Sequence, residues 1–373
     1  MIKDKLSRTY RNLTGWQTKR RIIVFESDDW GSIRMPSMDS FVRLKNLGVD
    51  LESLDYASFN HNDTLANRKD LELLFEVLKS FRDMNANPCI FTAMSVVANP
   101  DFTKIRNNGF LEYFYEPFTE TLLKYYPNED VFGLWKEGIE KKVFFPQFHG
   151  REHVNVSAWL KALRTGQKSA VLAFDEGLWG YVPENVDKLK VENQAAFQLT
   201  HLSDLSEHEK IVKEGLDLFY SLFGYRARYF VPPNGVINNS LNPVLAKNGI
   251  DFRSTSKIQH ESTGPGKSKK VIHWLGQKDA SGIRYIIRNC VFEPSETGKD
   301  WVDSCLADIN MAFRWNKPAI ICSHRVNYIG SLNPRNRDNS LLLLQTLLKT
   351  IRKKWPDSEF MSTDVLGALI KQN

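Results

Sequence analysis

Short apolar runs recur along this chain and alternate with longer amphipathic stretches, such as residues 71–81. This alternation predicts strands and helices in turn, as in an α/β fold with a parallel sheet. Four of the runs lead into polar groups suited to metal or acid/base chemistry. They are Ile22–Phe25 before Asp28 and Asp29, Val143–Phe145 before His149 and His153, Tyr229–Val231 before Asn234, and Ala319–Cys322 before His324. Because the carboxyl ends of parallel strands meet at one face, we expect these groups to share a cleft.

His149 and His153 are candidate metal ligands. They are four residues apart, a spacing that predicts both imidazoles on one side of a helical turn. Asp29 would add a third, anionic ligand. Two histidines and one carboxylate leave coordination positions open for water and substrate, which is typical of a catalytic rather than a structural metal site.

Asp28 and His324 are candidates for proton transfer. Consecutive side chains of an extended segment face opposite ways, so Asp28 would point away from Asp29 and act as a base on water. His324 would protonate the leaving group from the other side of the substrate.

Each of these features also has an ordinary structural explanation. An Asp-Asp pair after a strand is typical of a turn, and Pro232–Gly235 read locally is a tight turn in which Gly supplies positive φ. A histidine pair at this spacing occurs by chance on exposed helices. A lone histidine after a strand is usually a hydrogen-bonded core residue. The site hypothesis therefore depends on all four features occurring together, each after a strand.

Together these residues resemble the motifs of the polysaccharide deacetylases of the NodB-homology type, carbohydrate esterase family 4 and relatives. Residues 26–31 resemble the family motif Thr-Phe-Asp-Asp-Gly, and residues 149–153 resemble His-Ser/Thr-x-x-His. Residues 231–235 resemble Arg-Pro-Pro-Tyr-Gly, and residues 321–324 resemble Leu-x-x-His. The resemblance extends from about Arg21 to Leu369, because residues 88–93 and 245–252 resemble the segments between the family's motifs.

The resemblance implies an α/β fold of the distorted (β/α)7 barrel type, with insertions, and a carbohydrate deacetylase activity that depends on a divalent metal. It implies that Asp28 is the base and His324 the general acid, and that Asp29, His149 and His153 hold the metal. The nitrogen-rich ligand set favours Zn²⁺. The backbone N–H of Asn234 is expected to bind the oxyanion, a contribution that any residue except Pro can make.

Some positions depart from the family pattern. Val231 stands where the family has an Arg that orients the base, and Arg228 or Arg325 are the candidate substitutes. Gly150 replaces the Ser/Thr of the second motif. The acid that orients the catalytic histidine has no clear counterpart, and Asp279 and Asp251 are the candidates considered.

Composition agrees with an enzyme built around a large core, because the chain has 373 residues and 42% hydrophobic content. Its candidate site draws on residues 28 to 324, which favours a single catalytic domain over residues 1–373 rather than two domains. Insertions are expected near 36–66, 100–142 and 167–205.

The sequence shows no apolar leader segment, and its four cysteines lack metal-type spacing, so a cytoplasmic protein with reduced thiols is expected. The net charge is +6, and basic residues concentrate in the first 21 positions. These residues are expected to form a helix beside the barrel, either simply solvated or weakly attracted to an anionic membrane surface. Basic residues elsewhere are dispersed, so nucleic-acid binding is not expected. The sequence gives no indication of the oligomeric state.

Two other classes of protein fit parts of the pattern. Two histidines and a carboxylate also hold Fe(II) in oxygenases, but those usually carry His-x-Asp on an all-β fold. A deacetylase fold that has lost activity and only binds glycans would account for the missing Arg, and hydrolysis of another carbohydrate bond fits the same ligands. The prediction is deacetylation of N-acetylated, less readily O-acetylated, sugars in bacterial surface-glycan metabolism.

Overall fold

The computed structural model describes residues 2–53, 56–184 and 191–372, and it alternates strands and helices as the apolar pattern predicts. The strands are β1 (Arg21–Trp30), β2 (Phe91–Val96), β3 (Ala98–Pro100), β4 (Tyr115–Pro117), β5 (Phe144–Gly150), β6 (Tyr229–Phe230), β7 (Phe252–Ser254), β8 (Ile258–Gly264), β9 (Lys267–Ile272), β10 (Arg284–Ile286), β11 (Cys290–Val291), β12 (Ala319–His324) and β13 (Ser358–Phe360).

The helices pack around these strands. They are α1 (Ile2–Asn12), α2 (Met38–Asn46), α3 (Tyr56–Asn62), α4 (Arg68–Lys79), α5 (Phe102–Asn107), α6 (Phe118–Tyr125), α7 (Val131–Glu140), α8 (Val156–Arg164), α9 (Lys168–Asp175), α10 (Asp204–Phe223), α11 (Asn242–Lys247), α12 (Trp301–Arg314), α13 (Pro334–Lys354) and α14 (Thr363–Gln372). Short 3₁₀ helices cover Pro233–Gly235, Asn239–Leu241 and Arg325–Tyr328.

One parallel sheet organises the described residues. Its strand order is β10-β7-β6-β5-β2-β1-β12-β11, with β13 pairing the start of β1, and its pairings are parallel. The sheet curls into a half-barrel surrounded by helices, which confirms the predicted α/β fold class and its distorted barrel. The carboxyl ends of β5, β1 and β12 therefore lie at the same edge of the sheet, with β2 between β5 and β1, and Asp28 is the register partner of His324.

Packing of amphipathic helices on the sheet supplies the core. Helix α4 begins at a capping box in which Asn67 and Asp70 exchange side-chain-to-backbone hydrogen bonds. Its buried residues Leu71, Leu74 and Leu78 recur at helical spacing and face the sheet. The helix predicted from the pattern over 71–81 therefore forms, and burying each such leucine contributes about 1.5–3 kcal/mol.

The basic N-terminal segment is helical only in part. Helix α1 ends at Asn12, whereas a helix was expected across the first 21 residues. Thr14 and Gly15 adopt positive φ values of 63° and 83°, which ends the helix before β1 begins at Arg21. Helix α1 lies against α12, as the hydrogen bond from Arg8 to Asp308 shows.

The three segments expected to be insertions contain helices. Residues 36–66 contain α2 and α3, residues 100–142 contain α5 to α7 with β4, and residues 167–205 contain α9. Tyr56, Phe59 and Gln194 from the first and third segments line the central cavity. The single-domain organisation stays a prediction. Among the described helices, none is long and apolar enough to cross a membrane.

Candidate active site

The end of strand β1 presents two buried carboxylates in different directions. The pairing of β1 with β2 shifts register between Ser27 and Trp30, and Asp29 adopts a positive φ of 74° at this irregularity. Asp29 points towards His149 and His153, whereas Asp28 points towards Arg288. The two neighbours therefore have different partners, as predicted, but the cause is the positive φ of Asp29 rather than an extended backbone.

Asp29, His149 and His153 form a compact, buried group of metal-ligand type. One ligand atom of each lies within 4.8 Å of the others. Asp29 Oδ1 lies 3.0 Å from Nε2 of His153 and 3.3 Å from Nε2 of His149. The three residues that the sequence pattern singled out as ligands thus converge, and their arrangement is compatible with a divalent metal site.

The two histidines do not converge on a helical turn, so that part of the prediction is wrong. His149 lies in β5, and His153 lies in the bend before α8 begins at Val156. Gly150 between them has φ of 119°, and a Cβ there would lie 3.1 Å from the backbone oxygen of Glu152. The chain therefore turns back through a conformation that a Ser or Thr would strain, which explains why this position departs from the family pattern.

The donor atoms of this group suit a cation. His149 Nδ1 lies 2.7 Å from the carbonyl oxygen of Val231, which can only accept, so Nδ1 carries a proton and donates. Nε2 of the same ring points towards the carboxylate of Asp29, 3.3 Å from Oδ1. Burial lowers the pKa of His153 to about 4, despite the opposing effect of Asp29, so this ring is neutral at pH 7. Nε2 of each histidine thus converges on one carboxylate oxygen in a buried group, which is a donor set that fits a divalent ion.

Asp29 is held in the ionised form that a metal ligand needs. Burial alone would raise its pKa, but His153 and Arg34 outweigh burial and keep the pKa well below the ordinary value. Arg34 Nη2 donates to Asp29 Oδ2 at 3.2 Å, and its guanidinium lies 4.7 Å from the ring of Trp179. Trp179 in turn stacks on His153. This layer behind the ligands fixes their orientation.

Asp28 is bound by an arginine that the sequence motifs did not identify. Arg288 donates from Nη1 and Nη2 to the two oxygens of Asp28 at 2.6 and 2.7 Å, and Glu26 accepts from Nε of the same side chain. Neither candidate named from the sequence takes this place, because Arg228 pairs with Asp251 and Arg325 pairs with Asp63. Burial would raise the pKa of Asp28, but Arg288 outweighs it, so the pKa lies below the ordinary value.

His324 also has a partner that the sequence motifs did not identify. Its Nδ1 lies 2.7 Å from Oε1 of Glu293, whose Oε2 accepts from Asn327. Burial would lower the pKa of His324, but Glu293, Asp29 and Asp28 outweigh it and raise the pKa to about 10. The candidates Asp251 and Asp279 are wrong for this role, because they bind Arg228 and Asn242. Nε2 of His324 lies 4.0 Å from Asp28 Oδ2.

Val231 and Asn234 form one wall of the site. Val231 contributes its carbonyl to His149, so the position that lacks the family's Arg still supports a metal ligand. Asn234 adopts φ of 53° within the 3₁₀ turn that follows β6. It lines the cavity, and the role of its N–H as an oxyanion donor stays a prediction.

The candidate metal ligands and the candidate proton-transfer groups line one cavity of about 720 Å³. Asp28, Asp29 and His324 line it together with Arg288, and aromatic side chains Tyr56 and Phe59 lie at its edge. This volume accommodates a ligand of one or two sugar rings. Each of the six site residues predicted from the sequence therefore borders this cavity.

Arg288 and Glu293 follow the same rule that identified the other residues. Arg288 comes directly after the apolar run Tyr285–Ile287, and Glu293 follows Val291 and Phe292. Strands β10 and β11 end in these two runs. The sequence signal was present, but both strands are only two or three residues long, so the runs resemble ordinary core segments.

The fold and this site were compared with known proteins. No family model matches the chain, and no curated protein matches it in sequence. Among solved structures, the probable polysaccharide deacetylase of Pseudomonas aeruginosa PAO1 matches with TM-score 0.48 and 9% identity, over 94% of this chain and 91% of that one. Peptidoglycan deacetylase PdaC of Bacillus subtilis matches with TM-score 0.38 and 10% identity, over 95% and 92%.

Proteins of other activities match as well. The 4-alpha-glucanotransferase of Thermococcus litoralis matches with TM-score 0.45 and 10% identity, over 92% of this chain and 39% of that one. A fold can carry many different activities, and the chemistry depends on the side chains of the site. Several of the structural neighbours that cover most of this chain are polysaccharide or peptidoglycan deacetylases, the family that the sequence motifs resemble.

Proposed function

We propose that this protein is a metal-dependent hydrolase that removes acetyl groups from N-acetylated, less readily O-acetylated, sugars. One observation carries the proposal: an ionised Asp28 held by Arg288 lies 4.0 Å from a protonated His324. A base and an acid this close to each other can both reach one reacting group in the cavity. The adjoining group of Asp29, His149 and His153 supplies the ligands that such a hydrolase needs.

Each side chain has a defined task in the proposed reaction. Asp28 accepts the proton of a water molecule that attacks the acetyl carbonyl carbon, and Arg288 keeps the carboxylate ionised and oriented. The Asn234 N–H donates to the oxygen of the tetrahedral intermediate. His324, with its Nδ1 turned to Glu293, donates from Nε2 to the departing amine, so the C–N bond breaks and acetate and a free amino sugar are released.

The metal in this proposal is Zn²⁺, bound by Asp29, His149 and His153. Nitrogen ligands, together with one carboxylate, suit this ion better than Mg²⁺ or Ca²⁺. When bound, it would polarise the acetyl carbonyl and lower the pKa of a neighbouring water. Arg34 and the Val231 carbonyl hold the ligands in place for it.

The position of Arg288 favours an enzyme over an inactive glycan-binding protein. The sequence argument for lost activity was that Val231 replaces the arginine that orients the base. Arg288 forms a bidentate ion pair with Asp28 from another strand end, so that argument no longer applies. Bacterial surface-glycan metabolism and a cytoplasmic location remain part of the proposal.

The substrate class can be tested directly. Zn²⁺-loaded protein is incubated with N-acetylglucosamine oligomers, with a nucleotide-linked N-acetyl sugar and with an O-acetylated xylan, and acetate is measured enzymatically. The proposal predicts acetate from at least one N-acetylated substrate, without shortening of the oligomer by mass spectrometry. Shortened oligomers without acetate would instead indicate cleavage of glycosidic bonds.

A further inference from the structure

Helix α1 packs on the protein through its polar face. Arg8 Nε and Arg11 Nη2 donate to Asp308 Oδ1 of α12 at 2.7 and 3.3 Å. Asn12 is buried and accepts from Asn289 at 2.8 Å. A surface helix normally buries its apolar side and exposes its polar side. Here the arrangement is reversed, so these arginines are not available to an external partner.

The exposed side of α1 carries two large apolar residues beside the polar Asp4, Lys5 and Ser7. Leu6 and Tyr10 are four residues apart and so lie on one side of the helix, where they are 63% and 39% exposed. Exposed apolar side chains are common singly, but a stripe of them on a helix that binds by its opposite face points to a second surface.

The hairpin of β8 and β9 continues this surface. Ile258 and Ile272 are register partners at its base, and Trp274 lies two residues further on. Ile272 is 59% exposed and Trp274 is 41% exposed. Lys257, which precedes Ile258, donates to Thr14 at 2.9 Å and lies 5.7 Å from the ring of Tyr10. The hairpin base and the end of α1 are therefore neighbours.

Positive charge surrounds these apolar groups. Exposed lysines are Lys5 on α1 and Lys267, Lys269 and Lys270 on β9. The carboxylates on the same elements are Asp4 and Glu261, and Glu261 is the register partner of Lys269. Lysine is depleted in protein–protein interfaces, whereas lysine combined with Trp, Tyr and aliphatic residues is typical of surfaces that bind anionic lipid.

We propose that the outward face of α1 and the exposed face of the β8–β9 hairpin form a binding surface for an anionic membrane. Leu6, Tyr10, Ile272 and Trp274 enter the headgroup region, and the lysines attract anionic headgroups. Ser256 lines the central cavity and lies two residues before Ile258, so docking holds the cavity close to the membrane surface.

Vesicle co-sedimentation of the full chain tests this proposal. Vesicles of phosphatidylglycerol and phosphatidylcholine in equal amounts are compared with vesicles of phosphatidylcholine alone. Wild type is expected to sediment with the anionic vesicles and much less with the neutral ones. One double variant combines Leu6→Ser with Tyr10→Ser, and a second combines Ile272→Ser with Trp274→Ser. Each should lower the partition coefficient between anionic vesicles and water by about tenfold or more. Lys269→Glu, Lys270→Glu should weaken binding most at low salt.

Leu342→Ser is the matched control, since Leu342 is 62% exposed on a different helix, α13. This variant should bind like wild type. All variants remove exposed groups, so their unfolding temperatures should match that of wild type. Equal sedimentation of wild type with both vesicle types overturns the proposal. Sedimentation velocity gives a second test. If wild type is a dimer and the Leu6→Ser, Tyr10→Ser double variant is a monomer, the proposal is overturned, because the apolar stripe would then join two copies of the chain.

Discussion

Both carboxylate oxygens of Asp28 accept hydrogen bonds from Arg288, at 2.6 and 2.7 Å. The two residues are 260 positions apart and come from the ends of different strands. A planar guanidinium that binds both oxygens fixes the plane of the carboxylate as well as its charge. This ion pair restores to the site an arginine that the motif around Val231 lacks.

Replacing Arg288 should impair turnover without removing the metal. We expect Arg288→Ala to lower kcat by about 10²-fold, and Arg288→Lys to recover only part of the loss because lysine cannot bind both oxygens. Without the guanidinium the pKa of Asp28 rises. On acidification, the variant should therefore lose its activity at a higher pH than wild type does. The pH profile of kcat/KM measures this shift.

Arg228→Ala is the control for this experiment. Arg228 forms a partly exposed ion pair with Asp251. Replacing Arg228 should therefore leave kcat and the acid limb of the kcat/KM pH profile unchanged. An unchanged acid limb in Arg288→Ala, or an equal shift in Arg228→Ala, would contradict the role of Arg288.

The sequence pattern located the proposed reacting groups, but it did not locate the side chains that bind them. Asp28, Asp29 and His324 follow apolar runs that form the long central strands β1 and β12, so their convergence follows from parallel pairing. Arg288 and Glu293 follow β10 and β11, which are too short to be distinguished from core segments by pattern. Which charges pair depends on three-dimensional proximity, so Arg228, Arg325, Asp251 and Asp279 were equally plausible from sequence.

The metal site should be lost when both histidines are removed. Wild type should bind about one divalent ion per chain. The double variant His149→Ala, His153→Ala should bind almost none after dialysis. Elemental analysis of the purified proteins measures this. His201→Ala, at an exposed histidine, is the control and should keep full occupancy. Full occupancy in the double variant would show that the metal binds elsewhere.

Glu293 should set the alkaline limit of activity. A general acid works only while protonated, so activity falls as pH rises through the pKa of His324, which is about 10. Glu293→Gln removes the charge that contributes most to raising this pKa, so the alkaline limb should move to lower pH by about one unit or more. The pH dependence of kcat/KM is compared with that of Asp251→Asn, which should match wild type. An unmoved limb in Glu293→Gln would mean that His324 is not the acid.

Gly150 should resist replacement by the residue type that the family motif carries. Gly150→Ser introduces a Cβ at φ of 119° and 3.1 Å from the Glu152 backbone oxygen, which should cost about 1–3 kcal/mol and displace His149. Denaturant unfolding and metal content measure the two effects. Gly109→Ser is the control, since Gly109 has φ of 66° and open space around it, so it should lose less stability and no metal. Equal stability and occupancy in Gly150→Ser and wild type would contradict this account.

Gly150 also shows why the route between the two histidines was not predictable. A spacing of four residues is shared by a helical turn and by a strand that bends back, and both place the imidazoles together. The bend forms here because Gly150 permits a φ that is closed to other residues. The spacing therefore predicted that the two imidazoles lie together, but it predicted the wrong local structure between them.

The most direct test of the central claim is acetate release by wild type, Asp28→Asn and His324→Ala, measured on an N-acetylglucosamine oligomer or a nucleotide-linked N-acetyl sugar with metal content determined for each protein. A general base or acid is worth about 10²- to 10⁴-fold in rate, so each variant should lose about that factor in turnover. Neither residue belongs to the ligand group, so both variants should keep the wild-type metal content. Acetate release by Asp28→Asn at the wild-type rate, with wild-type metal content, would contradict the assignment of Asp28 as the base.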